Sequence, residues 1–203
     1  LTLEKKWKEH LSPSEREYLI SIDLISLEPR TLMLTQNKKP LKDVYLSIIK
    51  DLGLSNNDRS KVKIYTLASM YSKDFSINGN SIKSNIVKYF DLKNFKKGLI
   101  NNINDQHIYN FFGRPIYVGE KEINNVINYY IQSTSADVSL YCFSEIKRKF
   151  DILPTCIIHD EIICEVDEKT YKEIIENDFI EVPKLGRFYY DIKIINKKVW
   201  LWI

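Results

Sequence analysis

The sequence predicts an α+β fold, an antiparallel sheet drawn from both ends of the chain with a helical lobe inserted between them. Strand-like alternation marks residues 18–23 and returns after residue 155, whereas the middle third carries helical periodicity with caps and breakers. No internal repeat, low-complexity tract or flexible linker separates these regions, so the two lobes are expected to be continuous with each other. With 203 residues, the chain is long enough for one well-buried domain or two small lobes sharing a core.

Residues 4–17 are charged and read as helical or loose. The run Tyr18-Leu19-Ile20-Ser21-Ile22-Asp23 alternates well enough for a strand that ends on a carboxylate. A helix is expected over 27–34, with Pro29 in its first turn, where the missing N–H is tolerated. Residues 40–52 read as an amphipathic helix closed by Gly53. Asn56, Asn57 and Asp58 then offer N-caps to a long helix over 58–71.

Polar turns are expected at 76–79, followed by shorter helices at 81–89, 92–100 and 105–112. Gly113-Arg114-Pro115 breaks the helical lobe, and residues 120–150 contain a long helix interrupted near Gln132-Ser133-Thr134. β-Rich runs at 155–158 and 162–166 flank His159-Asp160-Glu161, which reads as a hairpin with an acidic tip. A helix over 168–178 precedes a final strand pair, 188–195 and 199–203, turning at Asn196-Lys197.

Lys+Arg 30 against Asp+Glu 27 leaves a net charge of +3, so bulk charge says little about a nucleic-acid partner and any basic surface must be local. The short basic runs, Lys38-Lys39, Lys61 with Lys63, Lys96-Lys97, Lys147-Arg148-Lys149 and Lys197-Lys198, are ordinarily solvated faces. No apolar run reaches the ~18 residues of a membrane span. Cys142, Cys156 and Cys164 lack CxxC spacing, which suits buried free thiols in a reducing, cytoplasmic compartment and predicts neither disulfide nor zinc site. The chain opens Leu1-Thr2-Leu3 without an initiator Met or a signal peptide, which reads as a piece of something longer. Abundant Lys, Asn and Ile read as AT-rich coding, and the compact size suggests a phage or plasmid source.

Taken alone, Asp23 at a strand end and Asp160 at a hairpin tip are two polar loop residues. Together, two β elements can set their carboxylates side by side and attract Mg²⁺, a hard ion that takes oxygen ligands and keeps water and phosphate in its shell. Two such ions about 4 Å apart clamp the attacking and leaving oxygens of a phosphoryl transfer. Arg59, Lys63, Leu67 and Tyr71 recur every four residues and form one slowly winding stripe on a helix. Its cationic half suits a triphosphate and its apolar-aromatic half a base or sugar, although an amphipathic helix with a basic flank has the same pattern.

Four segments in order then resemble the A-family, DNA polymerase I-like, polymerase domain. Asp23-Leu24-Ile25-Ser26-Leu27-Glu28-Pro29-Arg30 resembles the family's Asp, four residues, Glu, one residue, Arg. Arg59, Lys63, Leu67-Ala68 and Tyr71-Ser72 match the spacing of its fingers-helix motif. Residues 128–137, with Gly113-Arg114 upstream, are similar to its Asn…Gln-Gly-Thr…Ala-Asp helix and Gly-Arg turn. His159-Asp160-Glu161 matches its His-Asp-Glu hairpin, the most specific of the four, and Lys198-Val199-Trp200 resembles the Trp near those C-termini.

The resemblance implies a palm over 1–36 and 128–203 with fingers over 37–127, and no thumb or exonuclease. It implies a DNA-directed DNA polymerase using two Mg²⁺ ions held by Asp23 and Asp160, with the Leu24 backbone carbonyl helping and Glu161 supporting. Arg59 and Lys63 would bind the dNTP triphosphate, Lys63 also donating a proton to pyrophosphate. Glu28, packing with Tyr71, would exclude a 2′-hydroxyl, and Leu67 would meet the nucleotide. Arg30, Arg114, Asn128, Gln132 and His159 would contact primer-template DNA. A second polypeptide supplying thumb and upstream palm is the implied partner.

Leu67 stands where the family has an aromatic, Ala68, Ser72 and Ser133 replace glycines, and Pro29 is unusual. A catalytically impaired module that grips primer-template or a replisome partner is the alternative, and a nuclease or phosphohydrolase using the same acidic pair is a third reading.

Overall fold

The computed structural model describes residues 5–8, 10–72 and 81–198, and it divides into two compact units, Leu1–Leu27 with Ala136–Ile203 and Glu28–Ser135. In chain order the elements begin with α1 (Lys5–Lys8), β1 (Tyr18–Leu24), α2 (Leu27–Thr35), α3 (Val44–Leu52) and α4 (Arg59–Met70). Next come α5 (Ile82–Tyr89), α6 (Leu92–Asn101), the short strands β2 (His107–Tyr109) and β3 (Pro115–Tyr117), and α7 (Val126–Lys149). The last are β4 (Leu153–Ile158), β5 (Glu161–Val166), α8 (Glu168–Glu176), β6 (Phe179–Val182) and β7 (Gly186–Lys197). The α+β class expected from the sequence is what the chain forms. The polar turns at 76–79 and the strand at 199–203, with Val199 and Trp200, lie outside the described residues.

The first unit is a five-stranded sheet in the order β4-β5-β1-β7-β6, antiparallel at every pairing. β1 lies at its centre, and Leu19, Ile20, Ile22 and Leu24 are buried there. A strand covered on both faces reads as nearly continuous apolar sequence, and its polar residues Ser21 and Asp23 share one face because side chains alternate. β7 runs straight through Asn196 and Lys197, so the turn expected there is absent; Asn196 Nδ2 donates instead to the Leu11 carbonyl at 3.1 Å. The unread strand β6 forms a hairpin with β7 across Pro183 to Gly186, where Lys184 and Gly186 take positive φ.

The loop before β1 is fixed to the sheet by one buried carboxylate. Glu165 on β5 accepts hydrogen bonds from the N–H groups of Ser14 (3.0 Å), Glu15 (2.8 Å) and Arg16 (2.9 Å), and from the Ser14 hydroxyl (2.9 Å). Burial alone would push this carboxyl up, but the donors outweigh it and hold it down at about 2.

In the second unit, Leu32, Met33, Val44, Ile48, Ile49, Val62, Met70, Ile86 and Phe90 form a shared core. The helix expected from residue 40 starts at Val44, because Asp43 is extended (φ −89°, ψ 108°) and its carboxylate caps Tyr45 N and Leu46 N. Gly53 closes α3 in the left-handed region, φ 62°. The next helix opens with a 3-10 turn, Asn56–Asp58, whose cap is Ser55 rather than the Asn or Asp side chains.

Residues 105–112 are not helical. Asp105 and Gln106 both take positive φ between the bridged Asn104 and His107, the geometry of a two-residue turn, and β2 then pairs with β3. α7 is unbroken through Gln132-Ser133-Thr134, because the hydroxyls there find partners while the helix continues. Thr134 Oγ1 donates to the Tyr130 carbonyl (2.8 Å), Ser133 Oγ accepts from Asn110, and Ser135 Oγ donates to Thr31 Oγ1 (3.1 Å).

Because Glu165 sits well below its ordinary value, its contribution to stability is complete above the usual carboxylate range and is lost as pH falls through about 2. Glu165→Gln leaves N–H donors facing an amide and is expected to cost about 1–3 kcal/mol at pH 7. Urea denaturation of both proteins between pH 2 and 7 checks this, the gap narrowing at the acid end.

Candidate active site

Within the first unit the carboxylates gather at one end of β1. The β1–β5 ladder sets Asp23 opposite Glu161, and the Leu24 N–H donates to the Asp160 carbonyl at 2.9 Å. His159, with φ 56°, makes the tight turn that presents Asp160. On the other side, the β1–β7 ladder sets Asp23 opposite Asp191 and Ser21 opposite Lys193. Opposed residues of an antiparallel pair share a face, so Glu161, Asp23 and Asp191 make a row across three strands.

Asp23 is half-buried, and its carboxyl is pushed up to about 6. Burial is the largest cause, followed by the charges of Asp160 and Glu161; Asp191 adds to them and Lys193 opposes. Glu161 accepts from Lys8 Nζ and from the Ser21 hydroxyl, both short contacts. Lys8, Ser21, Asp23, Glu161, Lys193, Ile194 and Ile195 line a cavity of about 530 Å³.

Sequence reading missed Lys8, Ser21, Asp191 and Lys193. Ser21 was legible from its period-2 relation to Asp23, but the other three enter only through tertiary pairing.

The donor set fits Mg²⁺. That ion is commonly held by one or two carboxylates with water and phosphate completing its shell, and the charge of Asp160 already acts on Asp23 at the end of β1. Among the described residues there is no group of three or more His, Cys, Asp and Glu side chains poised as a metal cage. A closed cage is not what a two-carboxylate site requires.

In the second unit, α4 turns Val62, Thr66, Ser69 and Met70 into the core, and along the adjoining stripe Arg59 and Lys63 are exposed and Leu67 is half-buried. Lys63 has no ion-pair partner among the described residues. Arg59 Nε donates to Asp43 Oδ2 at 2.6 Å. Just past the helix, the Tyr71 hydroxyl donates to the carboxylate of Glu28, 43 positions away.

The residues expected to touch DNA separate by environment. Gln132, Arg114 and His159 are exposed, and Arg114 donates to the Ser133 carbonyl at 2.8 Å. Asn128 is half-buried, and its Oδ1 has no hydrogen-bond partner among the described residues. Arg30 departs from the expectation: it is 1% exposed and donates to the carbonyls of Leu41 (2.8 Å) and Lys42 (2.6 Å), so its guanidinium holds the segment before α3.

No protein-family model and no curated protein matches the chain. Among solved structures it is similar to the POL domain of Pol1 from M. smegmatis in complex with DNA primer-template and dNTP, with a TM-score of 0.68 and 15% identity. The match covers 96% of this chain and 42% of that one, so the chain spans less than half the length of that protein. The fold is therefore similar to that of part of the Pol1 POL domain. Among the described residues no helix is long and apolar enough to cross a membrane.

Folded protein holds the Asp23 proton to about pH 6, whereas the unfolded chain releases it nearer the ordinary carboxylate value, so stability falls as pH rises across that window and stays low above it. Asp23→Asn is expected to melt higher than wild type above pH 6 without added metal, and the two should converge below pH 4. Mg²⁺ should raise the melting temperature of wild type and not of Asp23→Asn. Thermal melts across pH, with and without MgCl₂, decide; equal melting at pH 8 overturns the assignment of crowded charge at Asp23.

Proposed function

We propose that this chain is the palm-and-fingers part of a DNA-directed DNA polymerase that adds dNTPs to a primer 3′-hydroxyl. The observation that carries the reading is the tether between the Leu24 N–H and the Asp160 carbonyl beside Asp23, found on this polymerase-domain fold. On this reading residues 1–36 and 128–203 serve as palm and 37–127 as fingers, and the division into two compact units near residues 27 and 135 supports it. The Pol1 structure it resembles is a complex with primer-template and dNTP, which makes these the natural ligands to test.

Asp23 and Asp160, with the Leu24 carbonyl, are the groups that would hold Mg²⁺, which when bound would supply charge stabilisation to a phosphoryl transfer. Glu161 supports them at second hand, since Lys8 and Ser21 already engage its carboxylate. Arg59 and Lys63 bind the triphosphate, Arg as a fork and Lys as a mobile point charge. Lys63, exposed and unpaired among the described residues, also donates a proton to departing pyrophosphate.

Glu28, fixed by the Tyr71 hydroxyl, occupies the space that a 2′-hydroxyl would need, so ribonucleotides meet a steric and desolvation cost. Leu67 offers the sugar an aliphatic contact. Arg114, Asn128, Gln132 and His159 touch primer-template, and Arg30 acts on that surface only through the backbone it holds. A second polypeptide supplying thumb and upstream palm belongs to the same proposal.

Primer extension with MgCl₂, by the chain alone and together with a candidate second polypeptide, tests the reading. Asp23→Ala and Asp160→Ala are expected to lower extension by on the order of 10²–10³ or more. Extension that persists in either variant overturns the assignment of metal ligands. Glu28→Ala is expected to admit ribonucleotides about tenfold more readily or better. An unchanged ratio of dNTP to rNTP incorporation removes Glu28 from sugar selection.

A further inference from the structure

Asp43 was no part of the sequence motifs, yet it makes contacts with both of its carboxylate oxygens. Oδ1 accepts from the N–H groups of Tyr45 (2.9 Å) and Leu46 (3.2 Å), capping α3. Oδ2 accepts from Arg59 Nε at 2.6 Å. The Arg59 guanidinium carbon lies 5.5 Å from the centroid of the Tyr45 ring, which is itself buried. Thus the side chain that opens α4 is gripped by the cap of α3, a group that cannot follow it because two backbone donors hold it in place.

The choice of nitrogen matters. Asp43 takes the inner Nε, and among the described residues neither terminal nitrogen of Arg59 is used in a hydrogen bond. A carboxylate facing the outer fork would occupy the two parallel donors that bind phosphate. A carboxylate on Nε leaves that fork available and removes rotational freedom from the stem. An exposed ion pair of this kind adds little to stability, so its effect is to be sought in ligand binding rather than in melting.

We propose that Asp43 is a positioning residue: by holding Arg59 Nε, it presents the guanidinium fork to the phosphates of an incoming nucleotide. This rests on the reading of Arg59 as a phosphate ligand. The entropy of ordering a long, rotamer-rich side chain is lost at folding instead of at binding, which favours affinity by about two- to tenfold.

Asp43→Asn separates the two roles, because Asn caps a helix as well as Asp does but carries no charge for Arg59. Dissociation constants for dATP in calcium buffer are measured for wild type, Asp43→Asn, Arg59→Ala and the double variant, alongside thermal melts. The expected result is dATP binding about two- to tenfold weaker in Asp43→Asn, with an unchanged melting temperature and no further loss when Asp43→Asn is added to Arg59→Ala. Unchanged or tighter binding by Asp43→Asn overturns the proposal, the latter identifying Asp43 as a competitor for the cation. A loss of equal size in both backgrounds also overturns it, since Asp43 would then act without Arg59. Equal binding by wild type and Arg59→Ala overturns the phosphate reading itself, a distinct outcome. The Arg59 Nε–H resonance in ¹⁵N spectra gives a readout free of ligand: it should be shifted and slow to exchange in wild type, and lose both properties in Asp43→Asn.

Discussion

Strand β1 is hydrogen-bonded along both edges, to β5 on one side and β7 on the other, and those two ladders set Asp23, Glu161 and Asp191 in a row while the Leu24 N–H ties the Asp160 turn beside it. The register that sets Asp23 against Glu161 and Asp191 is the same register that buries Ile20, Ile22 and Leu24. Because the side-chain period is two, a slip of one residue would bury Asp23 and turn Ile22 outward. The hydrophobic core therefore enforces the alignment of the acidic row. Its cost is visible in Asp23, whose carboxyl is held up to about 6 by burial and neighbouring charge.

The surroundings of that row divide the negative charge unequally. Glu161 is engaged by Lys8 and Ser21, and Lys193 stands opposite Ser21, so part of the charge is balanced from within the unit. Asp23 has no such direct partner among the described residues, and burial together with the charges of Asp160 and Glu161 raises its value. A divalent cation at Asp23 and Asp160 would act on the portion left unbalanced. Glu165, four residues from Glu161, shows the opposite solution: four hydrogen-bond donors around a buried carboxylate hold it down at about 2, and it serves to anchor a loop. Glu165 and Asp23 thus differ because one is ringed by donors and the other is buried among like charges.

Much of this was legible in the sequence where local pattern and tertiary environment agree. The strand at 18–23, the hairpin around His159-Asp160 and the helices α5 and α6 follow directly from periodicity, turn residues and caps. The failures share a cause. Residues 105–112 carry no Asn-Gly or Gly-Gly signal, and the turn is made by Asp105 and Gln106 in the left-handed region, which sequence alone does not demand. The supposed break in α7 came from three polar residues, two of which have partners that sequence does not name: Ser133 accepts from Asn110, and Thr134 accepts from the Phe111 N–H while donating to the Tyr130 carbonyl. Likewise, Arg30 fits a DNA-contact motif by spacing, and only the fold reveals that its guanidinium is committed to Leu41 and Lys42.

At 15% identity the resemblance to the Pol1 polymerase domain carries the fold and leaves the site to be argued residue by residue. Leu67 is the instructive case. It lies half-buried one turn beyond Lys63, and an aliphatic side chain has no ring face with which to stack on a sugar. On the proposed reading, selection at the nucleotide sugar then falls on the Glu28 and Tyr71 pair, whose hydrogen bond joins the start of α2 to the end of α4. That bond restrains Glu28 by a contact independent of Leu67, so loss of the aromatic at one position need not relax discrimination at the other. Arg59 follows the same principle, since its orientation depends on a cap residue of the preceding helix and not on its neighbours along α4. In both cases a side chain named by its spacing is held by a partner that spacing could not name.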